Sequence, residues 1–470
     1  MGKGLSLSVA LDGLTQVYGG SSSKEITGLA LAGGRGERAL PLTLESQDYL
    51  RSKALIPIVG RPLLEWIVDD LREQGVGRFH VVAKGRENHA QIRQLIGHGE
   101  RHGIDVQYSR TRFDHVNTGS AAATLHNIEY CDLSGTALVF PVDSLFDFDL
   151  AAMAAAHRES GAVVTVATVQ RLPEEIAGKY GVMRVDERSR VTGFMEKPDR
   201  ARLARWTPSG TTLPTSAGMY LIDCGALRRI ARDPRLVEAA RSRLDWGHDL
   251  LPWLVTNGHH VQCHDVQRMG DLGTPVDYLD TMRAVLAGGY TRVEKGLGEV
   301  SPFGAHCWIH ESSLRARDPL TGTTLAEKIA TGLVVVGPRV RIGRHVEIGP
   351  GVRLSGADIG DGADIGEGAV LKNVACHDGT TVGPYAQLTD VYVGAMSDLR
   401  STRSQPVIAR NFTALGDEVR VMPGVLLDGV KVYPRITVPS EVRLPIGTEL
   451  SSAEDALSWI HRREVLQATG

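Results

Sequence analysis

Short apolar runs alternate with helical patterns between residues 26 and 290. Ile26 to Ala32, Phe79 to Ala83 and Ala137 to Val142 have the length and composition of buried strands, whereas Leu63 to Leu71 places apolar residues at helical spacing. This alternation favours a mostly parallel sheet with helices on both faces. Ligands of such sheets bind outside the carboxyl ends of the strands, so residues at strand ends are the first candidates for chemistry.

The pattern changes after about residue 330, where apolar residues and glycines recur every six positions. Two series keep this step: Ile342, Ile348 and Leu354, and Gly337, Gly343 and Gly349. A period of six is typical of a β-solenoid, in which the apolar residue points inward and the glycine allows the turn. Three hexads would form one triangular coil, stacked on the next at about 4.8 Å. A set of antiparallel strands with glycine turns stays open as the alternative.

These patterns divide the chain into five parts. We predict an N-terminal extension (1–24), an α/β domain (25–292), a linker (293–330), the solenoid (331–450) and a C-terminal helix (451–470). The helix is expected to cover the last coil, because the end of a solenoid otherwise exposes its core.

Composition narrows the class of protein. Hydrophobic residues make up 42% and charged residues 23%, which excludes disorder over most of the chain. Fifty-two basic against 55 acidic residues leave a net charge of −3, so a broad basic field for nucleic acid or anionic lipid is lacking. The five cysteines form no CxxC pair, which favours a reduced compartment. With no apolar stretch of transmembrane length, we expect a cytoplasmic protein without nucleic-acid or membrane partners.

A glycine-rich loop, Gly33 to Arg38, follows the first predicted strand. Three glycines within four residues let backbone N–H groups approach a polyphosphate, and Arg35 and Arg38 add positive charge. The spacing matches neither the dinucleotide GxGxxG pattern nor a P-loop, which needs Gly-Lys-Ser/Thr. Taken alone, the loop is also compatible with a tight structural turn.

From this loop onward the sequence resembles the sugar-1-phosphate nucleotidyltransferases. LAGGRGERALPLT followed by SKALIPIVGRPLLEW is similar to the start of these enzymes, with Lys53 at their lysine position. The resemblance continues in order through Phe140-Pro141-Val142-Asp143, Tyr180-Gly181-Val182, Glu196-Lys197-Pro198, Ser216 to Tyr220, Asp245 to Pro252 and Met269 to Pro275. It implies a Rossmann-like α/β catalytic domain followed by a left-handed parallel β-helix of hexapeptide repeats, as in several members.

The resemblance also implies a reaction and residues that perform it. A sugar 1-phosphate oxygen would attack the α-phosphorus of a nucleoside triphosphate, and pyrophosphate would leave. Because two anions meet, the protein has to supply positive charge and orientation. Arg38 and Lys53 are the expected catalytic residues, and Asp143 and Asp271 the expected ligands of Mg²⁺.

The other expected contacts bind the two substrates. The predicted nucleotide-binding residues are Leu31, Ala32, Gly33, Gly34, Gly36, Gln107, Gly119 and Ser120. The predicted sugar-phosphate-binding residues are Gly181, Glu196, Lys197 and Gly218. The segment between Gln107 and Gly119 is closer in length to that of adenylyltransferase-like members than to that of thymidylyltransferase-like ones, and this resemblance implies a purine triphosphate. Glu37 stands where the family has threonine. An unusual acceptor, such as a cyclitol phosphate, stays open.

Two other functions fit this two-domain plan. A non-catalytic regulatory or scaffold subunit would tolerate loss of the metal-binding and cationic residues just named, all of which are present. An acyltransferase site on the β-helix would need a histidine base at a coil edge, for which His345 and His377 are the candidates. The flat apolar faces of the β-helix are expected to build a homo-oligomer.

Overall fold

The computed structural model of the protein describes residues 26–34, 36–46, 49–113, 117–207, 210–318, 321–440 and 442–459. The predicted N-terminal extension, Arg35 and the end of the predicted C-terminal helix lie outside these residues, while residues 453–459 are helical. Across these described ranges, no helix has both the length and the apolar character needed to cross a membrane. All five cysteines lie within them as free thiols, four of them buried.

The N-terminal part is built on a nine-stranded sheet. Its main path runs in the order Val191–Met195, Val182–Val185, Leu213–Asp223, Thr136–Pro141, Thr27–Ala32, Arg78–Ala83, Asp105–Tyr108. Two further strands, Val164–Arg171 and Val261–Asp265, extend it from Leu213–Asp223. Pairing is parallel from Thr136–Pro141 to Asp105–Tyr108 and antiparallel around Leu213–Asp223. The predicted α/β class with a mostly parallel sheet is confirmed.

Several helices of this part begin at a residue that caps them. The bounds of the helices are Leu63–Glu73, Arg86–Ile96, Ser120–Tyr130, Leu150–Ser160, Pro173–Ile176, Arg200–Ala204, Cys224–Ile230, Pro234–Ser242, Leu251–Thr256 and Pro275–Leu286. Asp149, Asp223 and Asp233 each cap the helix that follows by accepting a backbone N–H. The helix Leu63–Glu73 buries one apolar face, as its spacing predicts.

The C-terminal part is a stack of parallel strands. Their bounds are Cys307–Ile309, Val335–Val336, Val340–Ile342, Glu347–Ile348, Arg353–Ser355, Asp358–Ile359, Asp364–Ile365, Val370–Cys376, Thr381–Val382, Gln387–Val393, Asp398–Leu399, Ile408–Arg410, Thr413–Leu415, Arg420–Val421, Leu426–Asp428, Lys431–Val432, Thr437–Val438 and Glu449–Leu450. Strands of successive coils pair in register, as Arg341 does with Asp358, 17 residues further on. These parallel pairings confirm the β-helix class; its handedness stays a prediction.

The glycines of the repeat have a role different from the one expected. Gly343 and Gly349 do not have positive φ angles, and the left-handed turn residues are instead Arg339 and His345, with φ of 61° and 52°. A Cβ added at Gly349 would lie 2.7 Å from the backbone nitrogen of Glu367 in the next coil. Glycine is therefore required by the close approach of neighbouring coils, and the turn is made two residues later.

The stretch predicted as a linker is structured. It contains the helices Glu311–Arg315 and Leu325–Ala330 and the strand Cys307–Ile309. This strand pairs in parallel with Val340–Ile342, so the stacking of coils begins before residue 331. No hexad marks the strand in the sequence, which is why periodicity places the start of the β-helix later.

One face of the β-helix packs against the α/β domain. Ala375, Tyr392 and Ala414 belong to the same hydrophobic core as the α/β sheet, whereas their neighbour Val374 belongs to the core inside the coils. The helix Pro275–Leu286 lies against this face. The two domains therefore share a continuous apolar core across their interface.

His377 is buried at this interface and does not lie at an exposed coil edge. Tyr278 donates its hydroxyl to the carbonyl of Pro57 at 2.9 Å and lies 3.3 Å from His377 Nε2. Burial, and then the cations Arg51 and Arg341, lower the pKa of His377 to about 3. His377 is thus a neutral interface residue, an environment that does not suit a general base for acyl transfer.

We expect acid to destabilise the interface through His377. Its folded pKa lies below the unfolded value of about 6.5, so the unfolded chain binds the proton first and stability falls as the pH falls below about 6.5. At pH 5 the loss should be about 2 kcal/mol. Thermal unfolding of wild type and His377→Gln between pH 5 and 8 checks this, because the variant should lose that part of the pH dependence. Equal pH slopes would contradict it.

Candidate active site

A cleft of about 820 Å³ opens at the carboxyl ends of the parallel strands, beside Leu31, Val82 and Pro141. Most of the predicted site residues line it: Leu31, Gly33, Gly34, Arg38, Gly119, Ser120, Asp143, Gly181, Glu196, Lys197, Gly218 and Asp271. This is the edge of the sheet at which α/β proteins bind their ligands. The fold therefore brings together residues from segments that are far apart in the sequence.

Asp143 and Asp271 are brought together by a small antiparallel sheet. The strand Arg268–Asp271 pairs with Ser144–Asp147, the segment directly after Asp143. The backbone N–H of Leu272 donates to the carbonyl of Asp143 at 3.0 Å. The pairing register thus places the two predicted metal ligands side by side at one end of the cleft.

Asp271 lies among charges of both signs. Burial, followed by the carboxylates of Asp143 and Asp277, raises the pKa of Asp271 to about 6, and Lys53 and Arg38 act in the opposite direction. Among the residues that the structure describes, no group of three or more His, Cys, Asp or Glu side chains is arranged to hold a metal ion by itself. Two carboxylates are nevertheless the donors that Mg²⁺ takes together with phosphate oxygens and water.

Lys53 lies beneath the glycine loop and contacts Asp143. Its Nζ is 2.6 Å from Asp143 Oδ2, and its side chain is only 13% exposed. A Cβ added at Gly34 would lie 3.9 Å from the same Nζ, so the ammonium group is next to the backbone of the loop. Lys53 therefore adds positive charge to the floor of the loop from below.

The conformation of the glycine loop depends on Gly36. Its φ of 74° is left-handed, and a Cβ there would lie 2.7 Å from Thr43 Cγ2. The Thr43 hydroxyl donates to the carbonyl of Gly36 at 2.8 Å. Gly36 is thus a shaping residue behind the cleft wall, and Ala32 belongs to the hydrophobic core below it. Of the loop's glycines, Gly33 and Gly34 line the cleft.

Gly119 and Ser120 lie at another part of the cleft wall, where they contact the chain around Asp245. The Ser120 hydroxyl donates to Asp245 Oδ1 at 2.7 Å and accepts the N–H of Trp246 at 3.1 Å. A Cβ added at Gly119 would lie 2.6 Å from the carbonyl carbon of Leu244. Only glycine fits at this position, because the opposing atoms are backbone.

Glu196 and Lys197 form a charge pair in the cleft. Lys197 Nζ is 3.6 Å from Glu196 Oε1, and its side chain is 53% exposed. Burial raises the pKa of Glu196, and Lys197 partly offsets that rise. A Cβ added at Gly181 would lie 2.6 Å from Glu196 Oε2, so a larger residue there would displace this carboxylate. Gly218, with φ of 75°, lies next to Pro141 and also lines the cleft.

Three predicted site residues that do not line the cleft, Ala32, Gly36 and Lys53, lie in or next to the glycine loop. Gln107 is the fourth, and the structure places it away from the loop. It is exposed on the edge strand Asp105–Tyr108, with its amide 3.4 Å from Asp105. Gln107 pairs with His80, which in turn pairs with Leu29, so it stands below the level at which the strands end. This position does not support the predicted base contact of Gln107, which stays a prediction.

Comparison with known protein families agrees with this geometry. Residues 27–288 match the family described as Nucleotidyl transferase, a range that contains the whole cleft. The chain belongs to the nucleotidyl transferase family. Residues 327–445 of this nucleotidyl transferase also match the family described as GMPPB C-terminal domain, which covers most of the β-helix.

Relatives of this nucleotidyl transferase with known activities are distant. The UTP–glucose-1-phosphate uridylyltransferase of Synechocystis sp. is 27% identical over 325 residues, which are 66% of this chain and 76% of that protein. The glucose-1-phosphate adenylyltransferases of Shewanella baltica and Alteromonas mediterranea are 30% and 29% identical over 52% and 54% of this chain. The match spans 58% of each of these two adenylyltransferases.

Several residues that line the cleft of this nucleotidyl transferase are not among the site residues predicted from the sequence. They include Lys84, Asn117, Thr118, Lys179, Tyr180, Ser216, Asp245, Trp246, Thr274 and Asp277. Tyr180, Asp245 and Thr274 lie within segments that carry the family resemblance, so those segments contained the signal. Lys84 directly follows the strand Arg78–Ala83, so its position at a strand end could have predicted it. No sequence pattern around Lys179 indicates that it lines the cleft.

Proposed function

We propose that the protein condenses a nucleoside triphosphate with a sugar 1-phosphate, or with a sugar-like cyclitol phosphate, and releases pyrophosphate. The observation that carries the proposal is the meeting of two features in one cleft, the Asp143 and Asp271 carboxylates and Lys197 beside Glu196, with Lys53 contacting Asp143 from beneath the glycine loop. The family match and the activities named for the relatives support it.

The cationic side chains would offset the repulsion between two anionic substrates. The triphosphate would bind against Gly33 and Gly34, with Lys53 and Arg38 stabilising negative charge that grows at the α-phosphate. Lys197 would hold the sugar phosphate from the other part of the cleft, with Glu196 accepting a hydrogen bond from a sugar hydroxyl. Holding both substrates in line contributes to the rate because it removes the entropy cost of their meeting.

Asp143 and Asp271 would hold Mg²⁺. Their oxygen donors suit this ion. Burial, and then repulsion from Asp143, raise the pKa of Asp271, and a bound divalent cation would relieve that repulsion. When bound, Mg²⁺ supplies charge neutralisation and polarises phosphate oxygens. When no ion is bound, the ammonium group of Lys53, which contacts Asp143, would partly neutralise the negative charge of the two carboxylates.

A pyrophosphate-release screen tests the proposal. ATP, GTP, UTP, CTP and dTTP are each combined with a panel of sugar 1-phosphates and cyclitol phosphates, with and without Mg²⁺. We expect turnover with at least one pair, dependent on Mg²⁺, and faster with a purine than with a pyrimidine triphosphate. A folded protein that releases pyrophosphate with no pair would overturn the proposal and favour the regulatory or scaffold role.

Lys197→Ala is expected to raise the KM for the sugar phosphate. A hydrogen bond to a charged group contributes about 1.5–3 kcal/mol, so the rise should be about tenfold or more, with little change in the KM for the triphosphate. Initial rates with each substrate varied in turn measure both constants. Lys372→Ala, an exposed lysine on the β-helix, is the matched control. An unchanged KM for the sugar phosphate would refute this role.

A further inference from the structure

The segment that carries Lys53 lies between the glycine loop and the β-helix. Arg51, two residues before Lys53, forms an ion pair with Asp417 of the β-helix. The two side chains are only 15% and 13% exposed, so the pair is largely shielded from water. The catalytic domain and the β-helix are thus joined by opposite charges directly beside the proposed catalytic cation.

Asp417 is held by the backbone of the β-helix. Its Oδ1 accepts the N–H of Ala395 at 3.0 Å, and its carbonyl accepts the N–H of Arg435 at 2.9 Å. It lies between the strands Thr413–Leu415 and Arg420–Val421, which belong to the stack of coils. The carboxylate is therefore a rigid partner whose position is set by the β-helix.

Arg51 extends this connection to the glycine loop. Its backbone N–H donates to the carbonyl of Thr43 at 2.9 Å, and its Nη1 donates to the carbonyl of Leu42 at 3.4 Å. The Thr43 hydroxyl in turn donates to the carbonyl of Gly36, the residue whose left-handed φ shapes the loop. One arginine thus joins the β-helix, the support of the loop and the segment leading to Lys53.

We propose that Arg51 and Asp417 are positioning residues, through which the β-helix holds Lys53 and the glycine loop in the arrangement that the reaction needs. The inference rests on the proposed function. Neither side chain lines the cleft, so both act through Lys53 and Gly36. A displacement of about 1 Å in a reacting arrangement can lower a rate by about 100-fold, so a small shift of the Lys53 ammonium is sufficient.

The test compares Asp417→Asn with Asp390→Asn. Asp390 belongs to the same β-helix and also crosses the interface, where it accepts from Arg283 at 3.3 Å, but Arg283 lies on the helix Pro275–Leu286 and is not joined to the glycine loop. Asp417→Asn should lower kcat about tenfold or more, with the KM for the sugar phosphate unchanged. Asp390→Asn should change kcat by less than about twofold, because this half-buried ion pair, with side chains 31% and 24% exposed, has no contact with Lys53 or the glycine loop among the described residues.

A double variant separates positioning from simple loss of docking. If Arg51 and Asp417 act as a unit, Arg51→Gln combined with Asp417→Asn should lose no more activity than the more damaging single variant. If the wild type turns over, two results would overturn the positioning role. One is an equal loss of kcat in Asp417→Asn and Asp390→Asn; the other is a loss in the double variant equal to the product of the two single losses. A wild type without turnover would instead overturn the proposed function itself.

Discussion

Replacing Asp143 or Asp271 by asparagine is expected to lower Mg²⁺-dependent pyrophosphate release by at least about 100-fold, or about 2.7 kcal/mol of transition-state stabilisation. Each variant removes a negative oxygen donor from the pair that would hold the ion. An amide oxygen is a weaker donor, and it leaves the triphosphate charge less neutralised. Steady-state rates at saturating substrates, measured over a range of Mg²⁺ concentrations, give the size of the loss.

Stability should move the other way in Asp271→Asn. The folded pKa of Asp271 is raised from its ordinary value to about 6 by burial and by neighbouring carboxylates, so its ionised form destabilises the fold. The contribution of Asp271 to the free energy of unfolding is present at low pH, where the carboxyl group is protonated, and is lost as the pH rises through about 6. Asparagine removes the charge, so the melting temperature at pH 7.5 should be equal to or above that of the wild type. Loss of activity then cannot be attributed to unfolding.

Asp149→Asn is the matched control for both carboxylate variants. Asp143 directly precedes the short strand Ser144–Asp147, and Asp149 lies two residues after its end. Asp149 caps the helix Leu150–Ser160 and does not line the cleft. Asparagine is also a good helix cap, so activity and stability should both be retained. Turnover near the wild-type level in Asp143→Asn and Asp271→Asn would defeat the assignment of these carboxylates.

Lys53→Gln is expected to have the second large effect, a fall in kcat of about 100-fold or more. The ammonium group lies beneath the glycine loop, where the substituted amide keeps the approximate length but removes the charge. Asp143 also loses the cation that lies 2.6 Å from it in the wild type. Under the proposed function, negative charge that grows at the α-phosphate would then lack one fixed cation, so chemistry should be affected more than substrate binding.

Single-turnover and steady-state rates with the same substrate pair separate these two effects. Lys372→Gln, with the same substitution at an exposed position on the β-helix, should keep the wild-type kcat. A kcat within about twofold of the wild type in Lys53→Gln would exclude this residue from the charge-stabilising role and, with it, the reason for positioning the residue through Arg51.

The β-helix packs against the α/β domain through one of its faces. Its outward face contributes Tyr392 and Ala414 to the core of the catalytic domain, and Asp417 to the segment before Lys53. His377, one of two histidines considered for acyl transfer, is part of the same contact. Homo-oligomer formation through the other faces stays a prediction.

The sequence by itself determined the fold class, the position of the glycine loop and several strand-end residues that line the cleft. Each of these is local: a short apolar run or a period of six reflects which residues of a strand are buried, and a run such as Gly33 to Arg38 reflects the conformation of a few neighbouring residues. The ordered family resemblance added Asp143, Lys197 and Asp271, which lie within the segments that carry it.

Only the tertiary structure decided which distant groups meet. The pair Arg51 and Asp417 is separated by 366 residues, and no periodicity of either segment indicates the contact. Likewise, the register of the sheet keeps Gln107 below the cleft, and the packing of successive coils explains why Gly349 must be glycine. Such contacts depend on how complete elements pack and in which register they pair, and that information is spread over the whole chain and absent from any single window of it.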